Sequence, residues 1–192
     1  MSRPTQALSL SRRGFLKAGA AAGGGLLITI ALPTMRAAWA AATDPPGFAP
    51  NAFIRIDRAG IVTLVMPMAE MGQGTYTSLP MLLAEELEVG LDQVRLEHAP
   101  PNDALYANSL LHVQTTGLST SVRAFWMPLR QAGAVARTLL ITAAARRWDV
   151  DPGTCRAQRG VVVHDASGRR AAYEHLVQDA ASLPVPSAGS VA

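Results

Sequence analysis

The sequence predicts an α+β fold: a small mixed sheet packed by one short and one long helix. Short apolar runs at 53–57, 60–65, 93–97 and 161–164 read as strands, and three-to-four-residue apolar spacing at 77–87 and 119–148 reads as helix. Size agrees, because 192 residues with 49% apolar content and a net charge of +3 suit one domain of ordinary size plus a leader. A long disordered chain is excluded by the same numbers. The single Cys excludes an internal disulfide and any four-cysteine zinc or iron–sulfur site.

The elements follow in order. Thr43-Asp44-Pro45-Pro46-Gly47-Phe48-Ala49-Pro50 reads as linker, since its three prolines block helix and ladder hydrogen bonds alike. Phe53-Ile54-Arg55-Ile56-Asp57 alternates like a strand, and Gly60-Ile61-Val62-Thr63-Leu64-Val65 follows after a short turn, which predicts a hairpin. From Thr77, a plausible cap, Leu79, Leu82, Leu83 and Leu87 line one helical face, with Pro80 tolerated in the first turn. Gln93 to Glu97 then reads as a strand, completing strand, helix, strand.

Residues 99–119 read as irregular. From about Ser119 to Trp148 a long helix is expected, its stripe of Ala132, Gly133, Ala136 and Ala143 marking close packing and its Pro128 expected to kink it or end a first segment. Val161–His164 and Arg170–Tyr173 suggest a second hairpin, and Glu174–Ala181 a short helix. The domain plan is therefore a leader at 1–42, a linker at 43–52, a folded segment at 53–182 and a linker-like tail at 183–192.

The leader holds five basic and no acidic residues, whereas the rest has 12 Arg against 14 Asp and Glu. The basic balance belongs to the leader alone, so nucleic-acid binding by the folded part loses its electrostatic support. Ser11-Arg12-Arg13-Gly14-Phe15-Leu16-Lys17, the apolar run Ala18–Leu32 and the exit Ala38-Trp39-Ala40-Ala41-Ala42 resemble a twin-arginine export signal. Cleavage is expected after Ala40 or Ala42 and a periplasmic location with it, the export machinery being the leader's partner. An uncleaved membrane anchor is the alternative, although the run falls short of the roughly 20 apolar residues of a span.

Two segments could carry chemistry. In Glu70-Met71-Gly72-Gln73-Gly74-Thr75, Gly72 and Gly74 let backbone approach a ligand, and a helix start just beyond would leave first-turn N–H groups free for an anionic or oxo group. Gln73 offers an uncharged donor and acceptor, suited to a metal-oxo group or a substrate carbonyl. The second, Gln114 to Ser121, brings Ser119, Thr120 and Ser121 to a helix N-terminus, where hydroxyls and amides make a phosphate cradle. Ordinary capping turns would use the same residues in both places. His98, His112, His164 and His175 lack metal-ligand spacing, Glu85 and Glu86 cannot both face one site, and Cys155 reads as packing.

Together, Glu70–Gly74, Leu82-Leu83-Ala84-Glu85-Glu86-Leu87, the strand Val94–Pro100 and Ser119–Arg130 resemble the start of the molybdopterin-binding large subunit of the xanthine dehydrogenase and aldehyde oxidase family. Within that family they resemble the isoquinoline 1-oxidoreductase beta-subunit type, which also begins with a twin-arginine leader. The resemblance implies that Gln73 hydrogen-bonds the molybdenum oxo ligand, that Gly72 and Gly74 shape its loop, and that Ser119–Ser121 approach the pyranopterin and its dinucleotide phosphates. Gly117-Leu118 stands where relatives usually show two glycines. Family members oxidise N-heteroaromatic or aldehyde substrates with water-derived oxygen and pass electrons to a small 2Fe-2S subunit, with a cytochrome as a further candidate acceptor. The family's general-base glutamate and its other pterin segments have no counterpart here, so no catalytic residue and no direct metal ligand is assigned. The expected molecule is an N-terminal segment of a molybdenum hydroxylase large subunit, inactive alone and completed by the remainder of that subunit. An exported, non-catalytic partner-binding module is the other reading.

Overall fold

The computed structural model describes residues 26–28, 53–57 and 60–186. The expected linker at 43–52 and residues 187–192 of the expected tail lie outside the described residues, as does the expected leader apart from 26–28. Among the described residues the first sheet has four strands in the order β1 (Leu26–Ile28), β2 (Ile54–Ile56), β3 (Val62–Met66) and β4 (Val94–His98). β1 runs antiparallel to β2, and β2 antiparallel to β3. The β2–β3 turn closes through Gly60, whose positive φ of 76° suits glycine and whose N–H donates to the Asp57 carbonyl.

Between β3 and β4 the chain crosses over through α1 (Thr75–Leu87), which makes β3 and β4 parallel in the register Val62↔Val94 to Met66↔His98. The strand–helix–strand expectation is thus met. The helix begins at Thr75 with Gly74 as its N-cap, three residues before the expected cap Thr77. Pro80 consequently sits in the second turn, where it leaves the Tyr76 carbonyl without its intrahelical donor. A single helical turn, α2 (Asp103–Tyr106), interrupts the stretch expected to be irregular.

The long helix α3 (Ser121–Trp148) is continuous through Pro128, which neither ends it nor divides it. It packs along α1 at small residues: Gly133, Ala132, Ala136 and Ala143 are buried. A Cβ on Gly133 would lie 2.7 Å from the Leu83 carbonyl oxygen and 2.8 Å from Glu86 Cβ, so glycine is what the helix spacing requires. Glu86, nearly covered, accepts from Arg130 Nε at 2.6 Å and pairs with Arg137, while Glu85 faces solvent. Alternation in β2 and β3 turns Ile54, Ile56, Val62, Leu64 and Met66 into one core with Leu79, Leu83 and Leu87 of α1 and Phe125, Leu129 and Leu140 of α3. Each such side chain contributes about 1.5–3 kcal/mol by leaving water.

The second hairpin carries a third strand. β5 (Cys155–Gln158), β6 (Val161–His164) and β7 (Arg169–Ala172) form an antiparallel sheet, followed by α4 (Val177–Ala181). Buried Tyr173 ties this sheet to the first unit, its hydroxyl donating to the Leu87 carbonyl at 2.8 Å. Among the described residues, no helix is long and apolar enough to cross a membrane.

Candidate functional site

The loop from Met68 to Gly74 leaves β3 at the end where parallel β3 and β4 both finish, the edge at which α/β crossovers expose their loops. Met68 is buried and anchors it, and the Ala69 N–H donates to Thr116 Oγ1 at 2.8 Å. That bond joins two segments 47 residues apart and sets the Gln73 loop beside the Gln114–Ser121 stretch. The structure therefore brings the two sequence-predicted segments together.

Within the loop, Gly72 and Gly74 hold φ of 96° and 84°, a left-handed backbone that glycine adopts freely. Their N–H groups point at their own chain: Gly72 N and Gly74 N both donate to Glu70 Oε1, at 2.7 and 3.0 Å. Glu70 Oε2 accepts from Tyr76 N at 2.9 Å and from the Thr75 hydroxyl at 3.1 Å. These amides, that of Tyr76 first, hold the Glu70 carboxyl down at about 2 from an ordinary 4.5. The expectation of free first-turn amides at this helix is thereby corrected: a carboxylate six residues upstream of Tyr76 already occupies the positive end of α1. Glu70 belongs to the recognised motif, but spacing does not reveal its role, because only the folded loop turns three amides toward one side chain.

Gln73 is exposed and folded back. Its Nε2 donates to the Ala69 carbonyl at 2.8 Å and approaches Thr75 Oγ1 at 3.4 Å, and its Oε1 accepts from Met71 N. Tyr76 extends the site toward β4, its hydroxyl 2.8 Å from His98 Nδ1.

At the second segment the three candidates separate. Thr120 is the N-cap residue of α3 and is buried, its hydroxyl donating to the Gly117 carbonyl and accepting from Asn108 Nδ2, both at 2.7 Å. Ser121 is likewise buried, whereas Ser119 is exposed. Thr120 thus shapes the turn and Ser119 presents a hydroxyl. Leu118 and Ser119 hold φ of 52° and 53°, and the Leu118 side chain is 80% exposed. Met71, 70% exposed, offers the corresponding apolar side chain on the first loop.

The remaining candidates lie elsewhere. His164 pairs with the Ser167 hydroxyl, His175 with Glu174, and burial pushes the Cys155 thiol up. Among the described residues no three of His, Cys, Asp and Glu converge as a metal site. The two joined loops instead offer uncharged donors, Gln73 and Ser119, with flanking glycine backbone. Such a set fits a group that brings its metal already chelated and asks the protein only for hydrogen bonds.

A family model described as molybdopterin cofactor-binding domain matches residues 12–191. The beta subunit of isoquinoline 1-oxidoreductase from Brevundimonas diminuta is 39% identical over 186 residues, covering 94% of this chain and 23% of that protein. The membrane-bound aldehyde dehydrogenase [pyrroloquinoline-quinone] of Gluconacetobacter polyoxogenes is 31% identical over 173 residues, 88% of this chain and 21% of the other. A nicotinate dehydrogenase subunit of Pseudomonas putida is 31% identical over 131 residues, 66% of this chain and 10% of the other. The chain thus spans less than a quarter of the length of each of these relatives. In fold it is similar to part of the crystal structure of quinoline 2-oxidoreductase from Pseudomonas putida 86, with a TM-score of 0.53 at 20% identity over 70% of this chain and 17% of that one.

Proposed function

The chain belongs to the molybdopterin cofactor-binding domain family, and on that premise we propose that it supplies the Gln73-bearing part of a molybdenum hydroxylase large subunit. The bond from Ala69 N to Thr116 Oγ1 carries the reading, because it sets exposed Gln73 and the Ser119 turn on adjoining loops. When bound, the molybdenum cofactor supplies two-electron oxidation of a substrate with oxygen taken from water. This chain's part is to hold and orient. Gln73 would give up its bond to the Ala69 carbonyl and hold the metal's oxo group instead, and Gly72 and Gly74 would allow the backbone to come close. Ser119 and the start of α3 would hold the pterin and its dinucleotide phosphates, while buried Thr120 fixes the turn that presents them.

The substrate class is an N-heteroaromatic ring or an aldehyde, in keeping with the isoquinoline, nicotinate and aldehyde in the relatives' names. The partners are the remainder of the large subunit, a small 2Fe-2S subunit, and a cytochrome acceptor. Export by the twin-arginine route to the periplasm is supported by Arg12-Arg13-Gly14-Phe15-Leu16-Lys17. On this reading the chain alone neither retains molybdenum nor turns over substrate.

The test is co-expression with a polypeptide carrying the remaining pterin segments, followed by metal analysis. Molybdenum is expected in the purified pair and not in the chain alone; a folded, molybdenum-free pair would sink the proposal. In the loaded pair Gln73→Ala should slow oxidation by roughly 10²–10³-fold, the scale of losing one preorganised donor, with the melting temperature unchanged.

A further inference from the structure

We propose that Glu70 is the positioning residue of the Gln73 loop. Its carboxylate fills the amide cradle at the start of α1 from within the chain, and keeps the loop backbone in place when Gln73 turns outward to a ligand. The inference rests on the role given to Gln73 above, but its evidence is the hydrogen bonding of the loop itself.

Glu70 and Gln73 hold the loop through different backbone groups. Glu70 takes the N–H groups of Gly72, Gly74 and Tyr76, whereas Gln73 bonds Met71 N and the Ala69 carbonyl. They meet only at the Thr75 hydroxyl. A glutamine that turns to a ligand abandons both of its backbone bonds, yet all three Glu70 amide bonds survive the rotation. Charge-assisted bonds of that kind are the stronger set.

No residue of α1 itself caps its start in this way. Its N-cap Gly74 has no side chain to cap with, and its first turn holds no acidic residue. The glycines serve the same arrangement: no atom of this chain lies within 4 Å of a Cβ built on Gly72 or Gly74, so what the free loop asks of them is positive φ, which aims their N–H groups at the carboxylate. A further consequence is electrostatic. With a resident carboxylate on its positive end, α1 repels a second anion, so this loop meets its ligand through the neutral Gln73 amide and leaves phosphate to the start of α3.

Hydrogen exchange of the Gly72, Gly74 and Tyr76 amides in the full 192-residue chain tests the proposal without any cofactor. Glu70→Ala should speed exchange at all three by about tenfold or more, the scale of losing bonds to a charged acceptor. Sodium formate at high concentration, a carboxylate small enough to enter the vacated cradle, should restore protection where sodium chloride of equal ionic strength does not. Gln73→Ala should leave the same amides within about threefold of the parent, since it removes none of their acceptors. Unchanged exchange in Glu70→Ala overturns the proposal, as does equal deprotection by Gln73→Ala or restoration by chloride alone. Should Glu70→Ala yield no folded chain, isosteric Glu70→Gln decides on the same amides, with faster exchange expected and parental exchange fatal. None of these outcomes depends on molybdenum, so failure of the cofactor reading would show in metal analysis and leave these rates untouched.

Discussion

Leu118 and Ser119 hold consecutive left-handed torsions, φ 52° and 53°, immediately before α3. For a residue with a Cβ that region costs roughly 1–2 kcal/mol. Buried Thr120 and Asn108 enforce it, because their hydrogen bonds to each other and to the Gly117 carbonyl fix the turn. Leu118→Gly should therefore stabilise the chain by about 0.5–1 kcal/mol, the relieved torsion less the extra freedom of glycine in the unfolded chain. Urea titration of both proteins measures it, and a less stable variant would show that the exposed Leu118 side chain carries packing that its 80% exposure denies. This residue is half legible in the sequence. The resemblance flags Leu118 as standing where a glycine is usual, but only the backbone shows that the position needs glycine-like torsion. Gln73 is legible from its flanking glycines; Glu70 is not, because a carboxylate's hydrogen-bond partners two to six residues away are decided by the turn and not by spacing.

At the scale of elements the α1–α3 contact decides the most. The stripe of Ala132, Gly133, Ala136 and Ala143 is readable as a close-packing face, since small side chains at helical spacing mean little else in a soluble helix. Gly133→Ala separates propensity from packing. In a free helix the change would gain about 1 kcal/mol, but here the new methyl meets the Leu83 carbonyl at 2.7 Å and Glu86 Cβ at 2.8 Å. Overpacking of this kind costs about 1–3 kcal/mol, so the expected outcome is a lower melting temperature. A variant as stable as the parent would mean that the helices separate without cost. The elements that escape a reading of the sequence are the short or mixed ones. α2 is a single turn, and β5 alternates only between half-buried and exposed across Cys155-Arg156-Ala157-Gln158, so neither leaves a hydrophobic period to detect. The start of α1 falls earlier than its sequence suggests because its N-cap is Gly74 and its first-turn Tyr76 amide is satisfied by Glu70 from outside the helix, not by a Ser or Thr cap.

For the molecule as a whole, β1 ties the stretch expected to be a leader to the folded segment. Leu26–Ile28 lies in the apolar run that resembles an export signal, yet its backbone pairs with Ile54–Ile56, and the family match itself begins at residue 12. Apolar residues suited to a signal are also suited to a strand, so periodicity in the sequence could not choose between the two uses. The consequence is measurable. A chain beginning at Thr43 lacks β1 and leaves the outer edge of β2 unpaired, an arrangement that invites edge-to-edge association. Losing the two or so ladder hydrogen bonds of a three-residue strand should cost about 2 kcal/mol, or roughly 4–8 °C in melting temperature for a chain of this size. Thermal melts and size-exclusion chromatography of residues 43–192 against the full chain test this. Lower melting and earlier elution are expected of the shorter chain. Equal melting temperatures with both chains monomeric would mean that β1 adds nothing to the sheet, and that loss of residues 1–42 leaves the folded segment as it was.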